Sequence, residues 1–128
     1  RLRHQLGLLT EPLEEELRIA ASEHDGWIDL LVARGLLDAS QRDQPEEVML
    51  ALHRFLRETP SKVLLANLVD AVGERRMQNQ PGTVDEYPNW RVPLGDSSGK
   101  PIALEQIFDA ALPKRLAAVM NGTEAPRG

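Results

Sequence analysis

The sequence predicts a mainly α-helical fold, interrupted by one apolar segment and one long, ordered, proline-rich loop. Apolar residues recur at helical spacing over much of residues 1–60 and again over 101–121, between residues that favour helix ends. Residues 77–94 instead combine several prolines with Gly82, Tyr87 and Trp90 and have neither helical nor strand periodicity. Prolines restrict the backbone, so this stretch is predicted to be a shaped loop and not a flexible linker.

The length of the chain bounds its architecture. With 128 residues it forms one domain at most, about half of the ~250 residues of a (β/α)8 barrel. We therefore treat 1–128 as a single unit. Its predicted parts are a helical region over 1–60, an apolar strand or helix over 61–74, an ordered loop over 75–100, a terminal helix over 101–121 and a tail over 122–128.

Composition excludes several classes of partner. The net charge is −5, with 15 basic residues scattered among 20 acidic ones, which argues against a nucleic-acid partner. Cysteine is absent, so a disulfide framework or a thiolate metal site is impossible, and we expect no cofactor. No apolar run reaches the ~18 residues of a membrane span, and the N-terminus lacks a signal-peptide core. We expect no membrane partner and a soluble, cytoplasmic protein.

Residues 1–60 predict three short helices, each of roughly ten to fourteen residues. The first begins at Thr10-Glu11-Pro12, the second is capped by Asp25 and ends at Gly35, and the third opens at 43–47 and stops at Thr59-Pro60. Their expected apolar residues are Leu13, Leu17, Ala20 and Ala21, then Trp27, Leu30 and Leu31 with Leu36 and Leu37 over the helix end, and lastly Val48, Leu52, Phe55 and Leu56.

The remaining elements follow the same logic. Residues 62–72 are apolar almost without interruption, as in an element buried on both faces. Leu and Ala outnumber β-branched residues there, so a short buried helix competes closely with a strand. Residues 96–99 predict a turn. The terminal helix is expected to kink or restart at Pro113 and to end at Asn121-Gly122, before a frayed tail.

The loop carries a family resemblance. Asn79-Gln80-Pro81-Gly82-Thr83 and the following 85–91, Asp-Glu-Tyr-Pro-Asn-Trp-Arg, resemble the Asn-x-Pro-Gly-Thr and Glu-x-Pro-Asn-Trp-Arg signature of bacterial 4-α-glucanotransferases, the amylomaltases. Residues 1–9 and 101–120 are similar to neighbouring parts of the same family. The resemblance implies that the chain is the C-terminal fragment of a (β/α)8-barrel glucanotransferase, in which the apolar segment is a barrel strand.

The resemblance also implies an activity and a substrate. Such enzymes transfer α-1,4-glucan segments between maltodextrins by a retaining mechanism, which needs two carboxyl groups about 5 Å apart. Their equivalents lie upstream of Arg1, so no catalytic residue is expected here and the isolated fragment should be inactive. His24-Asp25 resembles the family's His-Asp motif but stands after the segment that should follow that motif, and is not assigned. Nor do His4 and His53, taken as single histidines on helical surfaces, have ligand-spaced partners for a metal site.

The loop contains the candidate substrate-binding residues. The Asn79 amide can both donate and accept, which suits a sugar diol, and the family places this Asn beside the cleft; the adjoining backbone is shaped by Pro81, Gly82 and Thr83. The competing interpretation is that Asn79 only caps its own turn.

The second half of the loop is expected to be structural. Tyr87 and Trp90 are of a size to stack on glucose rings, but we favour Trp90 as an internal prop and Arg91 paired with a carboxylate such as Glu86. The structural-loop residues are Glu86, Tyr87, Asn89, Trp90 and Arg91.

We interpret the chain as part of a 4-α-glucanotransferase whose partners are α-1,4-glucans. The alternative is an autonomous helical module that docks a protein partner without catalysis. The isolated fragment has three ways to accommodate its apolar segment, which are to pair it with a second copy, to bury it among its own helices or to convert it to helix. We favour a mainly helical fragment with the segment covered by the third and last helices, and a homodimer stays open.

Overall fold

The computed structural model describes residues 2–125 and confirms a mainly α-helical chain. Within that range no β-strand forms, and the one isolated antiparallel bridge joins Gly95 to Pro101. No helix there is long and apolar enough to cross a membrane. The helices are α1 (Leu2–Gln5), α2 (Leu13–Ala33), α3 (Pro45–Arg57), α4 (Leu68–Val72), α5 (Leu104–Asp109) and α6 (Ala111–Asn121), with a 3-10 turn at Ala39–Gln41.

Helix α2 replaces two predicted helices with one of 21 residues. Its N-cap is Pro12 and no side chain caps it, so Thr10 has no capping role. The predicted break at Asp25 is wrong, because both Asp25 and Gly26 lie inside the helix. A glycine in a helix interior costs only about 1 kcal/mol relative to alanine, which the continuous hydrogen bonding of a long helix tolerates.

The end of α2 and its packing on α3 build the first core. Gly35 has φ 67°, and the Leu36 amide donates to the Leu31 carbonyl at 2.9 Å, which confirms the predicted helix end. Leu36 and Leu37 are buried over that end as predicted. The cluster comprises Ile28, Leu31, Leu36, Leu37 and Ala51, with Val32, Val48, Leu52 and Phe55 against it. The Trp27 ring, itself half exposed, meets the Phe55 ring edge-on at 5.6 Å.

Helix α3 lies in the middle of the fold and buries two sides. Its start has the predicted proline and first-turn acids, with Gln44 at the N-cap, and near its end the Thr59 hydroxyl donates to the Leu56 carbonyl. Leu56 is exposed, contrary to prediction, whereas Leu50 is fully buried against α4 and α6. That second cluster comprises Leu50, Ala71, Leu116 and Val119, with Met49, Leu112 and Met120 around it.

His53 also lies on the inner side of α3, so its expected place on a helix surface is wrong. The side chain is buried, and Nδ1 donates to the Met49 carbonyl of the same helix at 2.8 Å.

The apolar segment forms no strand, and only its second half is the short helix that competed with that prediction. The expected cover of its first half by the third and last helices is not formed. Residues 61–67 form no helix and no strand, and Val63 and Leu65 are 75% and 81% exposed. Helix α4 begins only at Leu68, where the Asn67 side chain accepts from the Val69 amide, and it buries Ala71 and Val72. A strand needs hydrogen-bonding neighbours, and residues 2–125 offer no other strand.

The terminal helix is divided at Ala110, which ends α5 and precedes α6 with ψ 148°. The restart thus lies before Pro113, which occupies the first turn of α6, where its missing N–H leaves no hydrogen bond unmade. Gly122, with φ 70°, ends α6 as predicted.

The predicted fraying of the tail is wrong at Glu124. Arg54 binds this carboxylate, with Nη2 and Oε1 2.6 Å apart. Residues 126–128 lie outside the described range.

Candidate functional site

The loop over 77–94 leaves the helical body directly after α4. Gly73 ends α4 with φ 71°, and the Glu74 amide donates to the Val69 carbonyl. Although residues 77–94 form no helix or strand, the chain crosses back on itself where the Trp90 amide donates to the Gln78 carbonyl at 2.7 Å. This contact closes the outer part of the loop into a ring.

Asn89 holds the turn inside that ring. Its Oδ1 accepts from the Gln80 amide at 2.7 Å, and its Nδ2 donates to the Thr83 hydroxyl at 2.9 Å. The same hydroxyl donates to the Gln80 carbonyl at 2.7 Å. Gly82 completes the turn with φ 86°, a conformation that L side chains rarely adopt. A Cβ added there would lie 3.4 Å from Leu8, so the turn sits against the N-terminal segment.

Asn79 stands next to this turn without taking part in it. It is half-buried, and within residues 2–125 its side-chain amide makes no hydrogen bond, so it does not cap its own turn. Pro81 and Gly82 are exposed beside it. The Thr83 hydroxyl, by contrast, is already engaged as donor and acceptor. The structure therefore leaves Asn79, and not Thr83, with unused hydrogen-bonding capacity.

Tyr87 and Glu86, two further structural-loop residues, also make main-chain contacts. The Tyr87 hydroxyl donates to the Met77 carbonyl, and Glu86 accepts from the Val84 amide at 2.8 Å, which lowers the pKa of Glu86. The expected pairing of Glu86 with Arg91 is not formed among the described residues, and Arg91 is exposed.

Trp90 is not the internal prop that we expected. Its side chain is 77% exposed, and φ is 59°, in the left-handed region. The bond from its amide to Gln78 holds the backbone in that conformation and directs the ring away from the loop interior.

The base of the loop holds a buried ion pair that the sequence did not predict. The Glu74 side chain is 1% exposed, and Arg76 binds it through Nε to Oε1 at 3.0 Å and through Nη2 to Oε2. The amides of Arg76 and Gly95 also donate to it, at 2.8 and 2.9 Å. The pKa of Glu74 is lowered to about 2, chiefly by hydrogen bonds from the Arg76 side chain and also by those two amides, against the opposing effect of burial. The same contacts raise the pKa of Arg76.

Carboxylates also lie outside the loop, and Glu46 and Asp70 line a cavity of about 390 Å³ together with Glu74 and Arg75. His24 and Asp25 are exposed neighbours on α2, with His24 Nδ1 and Asp25 Oδ1 3.4 Å apart. A groove of about 540 Å³ between α4, α5 and α6 is lined by apolar residues with Asn67, Lys114 and Asn121, and no acid lines it. Within residues 2–125 no three His, Asp or Glu side chains are grouped to hold a metal ion. We take the loop as the candidate site, because it holds the half-buried Asn79 amide, which has no hydrogen-bond partner within residues 2–125.

The chain is similar to known proteins over almost its whole length. The family model described as 4-alpha-glucanotransferase matches residues 14–97. The 4-alpha-glucanotransferases of Mycobacterium bovis and Mycobacterium tuberculosis are each 50% identical over 127 residues, which is 98% of this chain. The crystal structure of amylomaltase from Corynebacterium glutamicum superposes with a TM-score of 0.79 over 93% of the chain at 36% identity.

The chain spans only part of these relatives. It covers 18% of the length of each Mycobacterium protein and 18% of the Corynebacterium chain. The agreement of sequence and structure supports a glucanotransferase over an autonomous interaction module. This chain belongs to the 4-alpha-glucanotransferase family.

Proposed function

We propose that the chain is the C-terminal portion of an enzyme that transfers α-1,4-glucan segments to the 4-hydroxyl of another glucan or of glucose. The observation that carries the proposal is 50% identity to 4-alpha-glucanotransferases over 98% of this chain. In the complete protein, the extended residues 61–67 are a strand of the (β/α)8 barrel. A cytoplasmic location stays a prediction of the sequence.

The catalytic carboxyl groups are assigned to the part of the protein that precedes this chain. A retaining transfer needs a nucleophilic carboxylate and an acid/base carboxyl about 5 Å apart. Glu74, the carboxylate most enclosed at the loop, has a pKa of about 2 and is bound by Arg76. A group that stays ionised and paired cannot deliver a proton to a glycosidic oxygen near neutral pH, so Glu74 is not the acid.

The part of this chain in the reaction is to line the glucan site. In this proposal the Asn79 amide, which has no hydrogen-bond partner within residues 2–125, binds a sugar diol, while Pro81, Gly82 and Thr83 shape the adjoining backbone. The exposed Trp90 ring, held in a rare backbone conformation, is a second candidate contact.

A chimeric enzyme tests the proposal. The matching 127 residues of the Mycobacterium tuberculosis relative are replaced by this chain, and glucose release from maltotriose is followed. We expect the chimera to form glucose and longer maltodextrins, and the isolated chain to form neither. A chimera that folds like its parent but transfers nothing contradicts the proposal, as does activity of the isolated chain.

A further inference from the structure

The loop that carries Asn79 is closed at its base by two charged side chains. Glu74 and Arg76 precede the loop, whereas Pro93 and Gly95 stand at its far end. Arg76 Nη2 donates to the Pro93 carbonyl at 2.9 Å, and Glu74 Oε2 accepts from the Gly95 amide at 2.9 Å. Each charged side chain thus binds the backbone of the segment that leaves the loop. Both ends of the loop are therefore bound to one ion pair.

The ion pair is itself fixed to the helical body. Glu74 directly follows Gly73, which ends α4, and its amide donates to the Val69 carbonyl at 3.0 Å. Ala71 and Val72 of α4 are buried, and Ala71 belongs to the second core cluster. Glu74 therefore connects the loop to the helices and helps to fix its position relative to them.

The space between Gly95 and the pair is filled. A Cβ added to Gly95 would lie 2.6 Å from Arg76 Nη2, 2.9 Å from Glu74 Oε2 and 3.1 Å from the Gly99 carbonyl carbon. These distances are too short for any side chain, so only glycine lets the returning chain approach the pair closely enough for its amide to bind Glu74.

The pair has two properties that suit a fixed support. A guanidinium group that binds both oxygens of a carboxylate fixes the orientation of the two side chains as well as the distance between them. The depressed pKa of Glu74 means that the carboxylate stays ionised through the weakly acidic and neutral range.

We propose that Glu74 and Arg76 are positioning residues that clamp the base of loop 77–94 and thereby set where Asn79 meets the glucan. The part of this inference that concerns glucan rests on the proposed function, whereas the clamping of the loop does not. We call the four residues Glu74, Arg76, Pro93 and Gly95 the loop clamp.

The first test measures the loop itself. In the chimera, Glu74→Gln keeps the side-chain volume but removes the charge. We expect amide hydrogen exchange to accelerate at least about tenfold at Gly95 and also at Gln80 and Trp90, which do not touch the clamp, because the loop can then open as a unit. Acceleration confined to Arg76 and Gly95 overturns the proposal, since the pair would then be a local contact only.

The second test measures transfer. We expect Arg76→Lys, which keeps the charge but loses the fork, to lower kcat/KM for maltotriose about tenfold or more, mainly through a higher KM, because misplaced binding groups weaken productive binding. A lowered melting temperature with unchanged KM and kcat would mark a purely structural pair. Arg76 is 39% exposed, so this variant folds even where Glu74→Gln does not.

Glu47→Gln is the matched control. Glu47 binds Arg115 at 2.7 Å between α3 and α6, as a partly buried carboxylate whose side chain is 14% exposed, on a half-exposed arginine. We expect it to change neither loop exchange nor KM, and a KM rise equal to that of Arg76→Lys would contradict a specific role for the clamp. An unmodified chimera without activity refutes the proposed function, while the exchange measurement still decides the clamp.

Discussion

Glu74 keeps its negative charge in a nearly closed space, and this makes its contribution to stability depend on pH. Its pKa is about 2, against an ordinary value of 4.5. The folded chain therefore favours the ionised form, so the stabilisation is fully present above about pH 4.5 and is lost as the pH falls toward 2.

We expect Glu74→Gln to lower the free energy of unfolding by about 1–2 kcal/mol at pH 7, less than the full shift implies because solvent reaches Arg76. Near pH 2 the two proteins should be equally stable, since a protonated glutamate and a glutamine differ little. Urea unfolding followed by circular dichroism at pH 7, 5 and 2.5 measures the difference. A gap that stays constant with pH would show that the charge is not its source.

Two asparagines of the loop differ in their hydrogen bonding. The Asn89 side chain is hydrogen-bonded to the Gln80 amide and the Thr83 hydroxyl, whereas the Asn79 side-chain amide has no hydrogen-bond partner within the described residues. In the chimera we expect Asn79→Ala to lower kcat/KM by three-fold to about a hundred-fold with an unchanged melting temperature, as a lost sugar hydrogen bond costs about 0.5–3 kcal/mol.

Asn89→Ala is the counterpart of that variant. It should lower stability by about 1–3 kcal/mol, because the Gln80 amide would lose its partner. Steady-state kinetics and thermal unfolding of both variants separate the roles. A destabilising Asn79→Ala with normal kinetics would favour a turn-capping asparagine.

The sequence predicted only some of the residues that hold the loop in its conformation. The prolines and Gly82 indicated an ordered turn, since their effects on φ are local. Glu74 gave no such signal, because its partner Gly95 lies 21 positions away and an isolated acid before a loop has no periodicity. Trp90 was predicted to be inside because aromatic rings gain from burial, but its positive φ depends on the contact with Gln78.

Two glycines of helix α2 and its end have similar surroundings but are expected to affect stability in opposite ways. Gly26 lies in the helix interior and Gly35 after its end, and a Cβ would meet nothing within 4 Å at either. Only Gly35 has a positive φ, at 67°. Backbone conformation alone therefore distinguishes them.

We expect Gly26→Ala to stabilise the chain by about 0.5–1 kcal/mol and Gly35→Ala to destabilise it by about 1 kcal/mol. The first reduces the freedom of the unfolded chain, and the second strains the helix end. Thermal and urea unfolding of the two variants measures both values. A destabilising Gly26→Ala would mean that α2 is interrupted near Asp25, as the sequence first indicated.

At the scale of elements, predictions succeeded where the signal was local. Gly35 and Gly122 ended helices as expected, and Pro45 with its following acids began α3. Predictions failed where contacts with residues distant in sequence determine whether a segment is buried. The run of Leu and Ala over 63–66 indicated a buried element, but burial needs a cover, and within residues 2–125 nothing covers Val63 or Leu65.

The whole molecule consequently presents an apolar face. Val63 and Leu65 on the extended segment, Leu68 on α4 and Phe108 on α5 are all exposed, and the apolar groove between α4, α5 and α6 begins at Ala66. Exposed apolar patches of this kind normally mark an interface. In a complete glucanotransferase the preceding polypeptide is the expected cover, since this chain spans 18% of its relatives.

For the chain taken alone we expect a second copy to serve as that cover. Residues 61–67 are extended and make no regular pairing among the described residues, so two copies can pair these segments while burying Leu65 of each. Leu65→Lys should shift sedimentation equilibrium toward monomer, because a charge in the paired apolar surface is costly to desolvate. Val84→Lys is the control, since Val84 is 78% exposed but lies in the loop. Hydrogen exchange over 63–67 should slow with protein concentration in the unmodified chain and in Val84→Lys, but not in Leu65→Lys. A chain that stays monomeric at every concentration, with these amides unprotected, would show that the segment needs the rest of the enzyme and not its own copy.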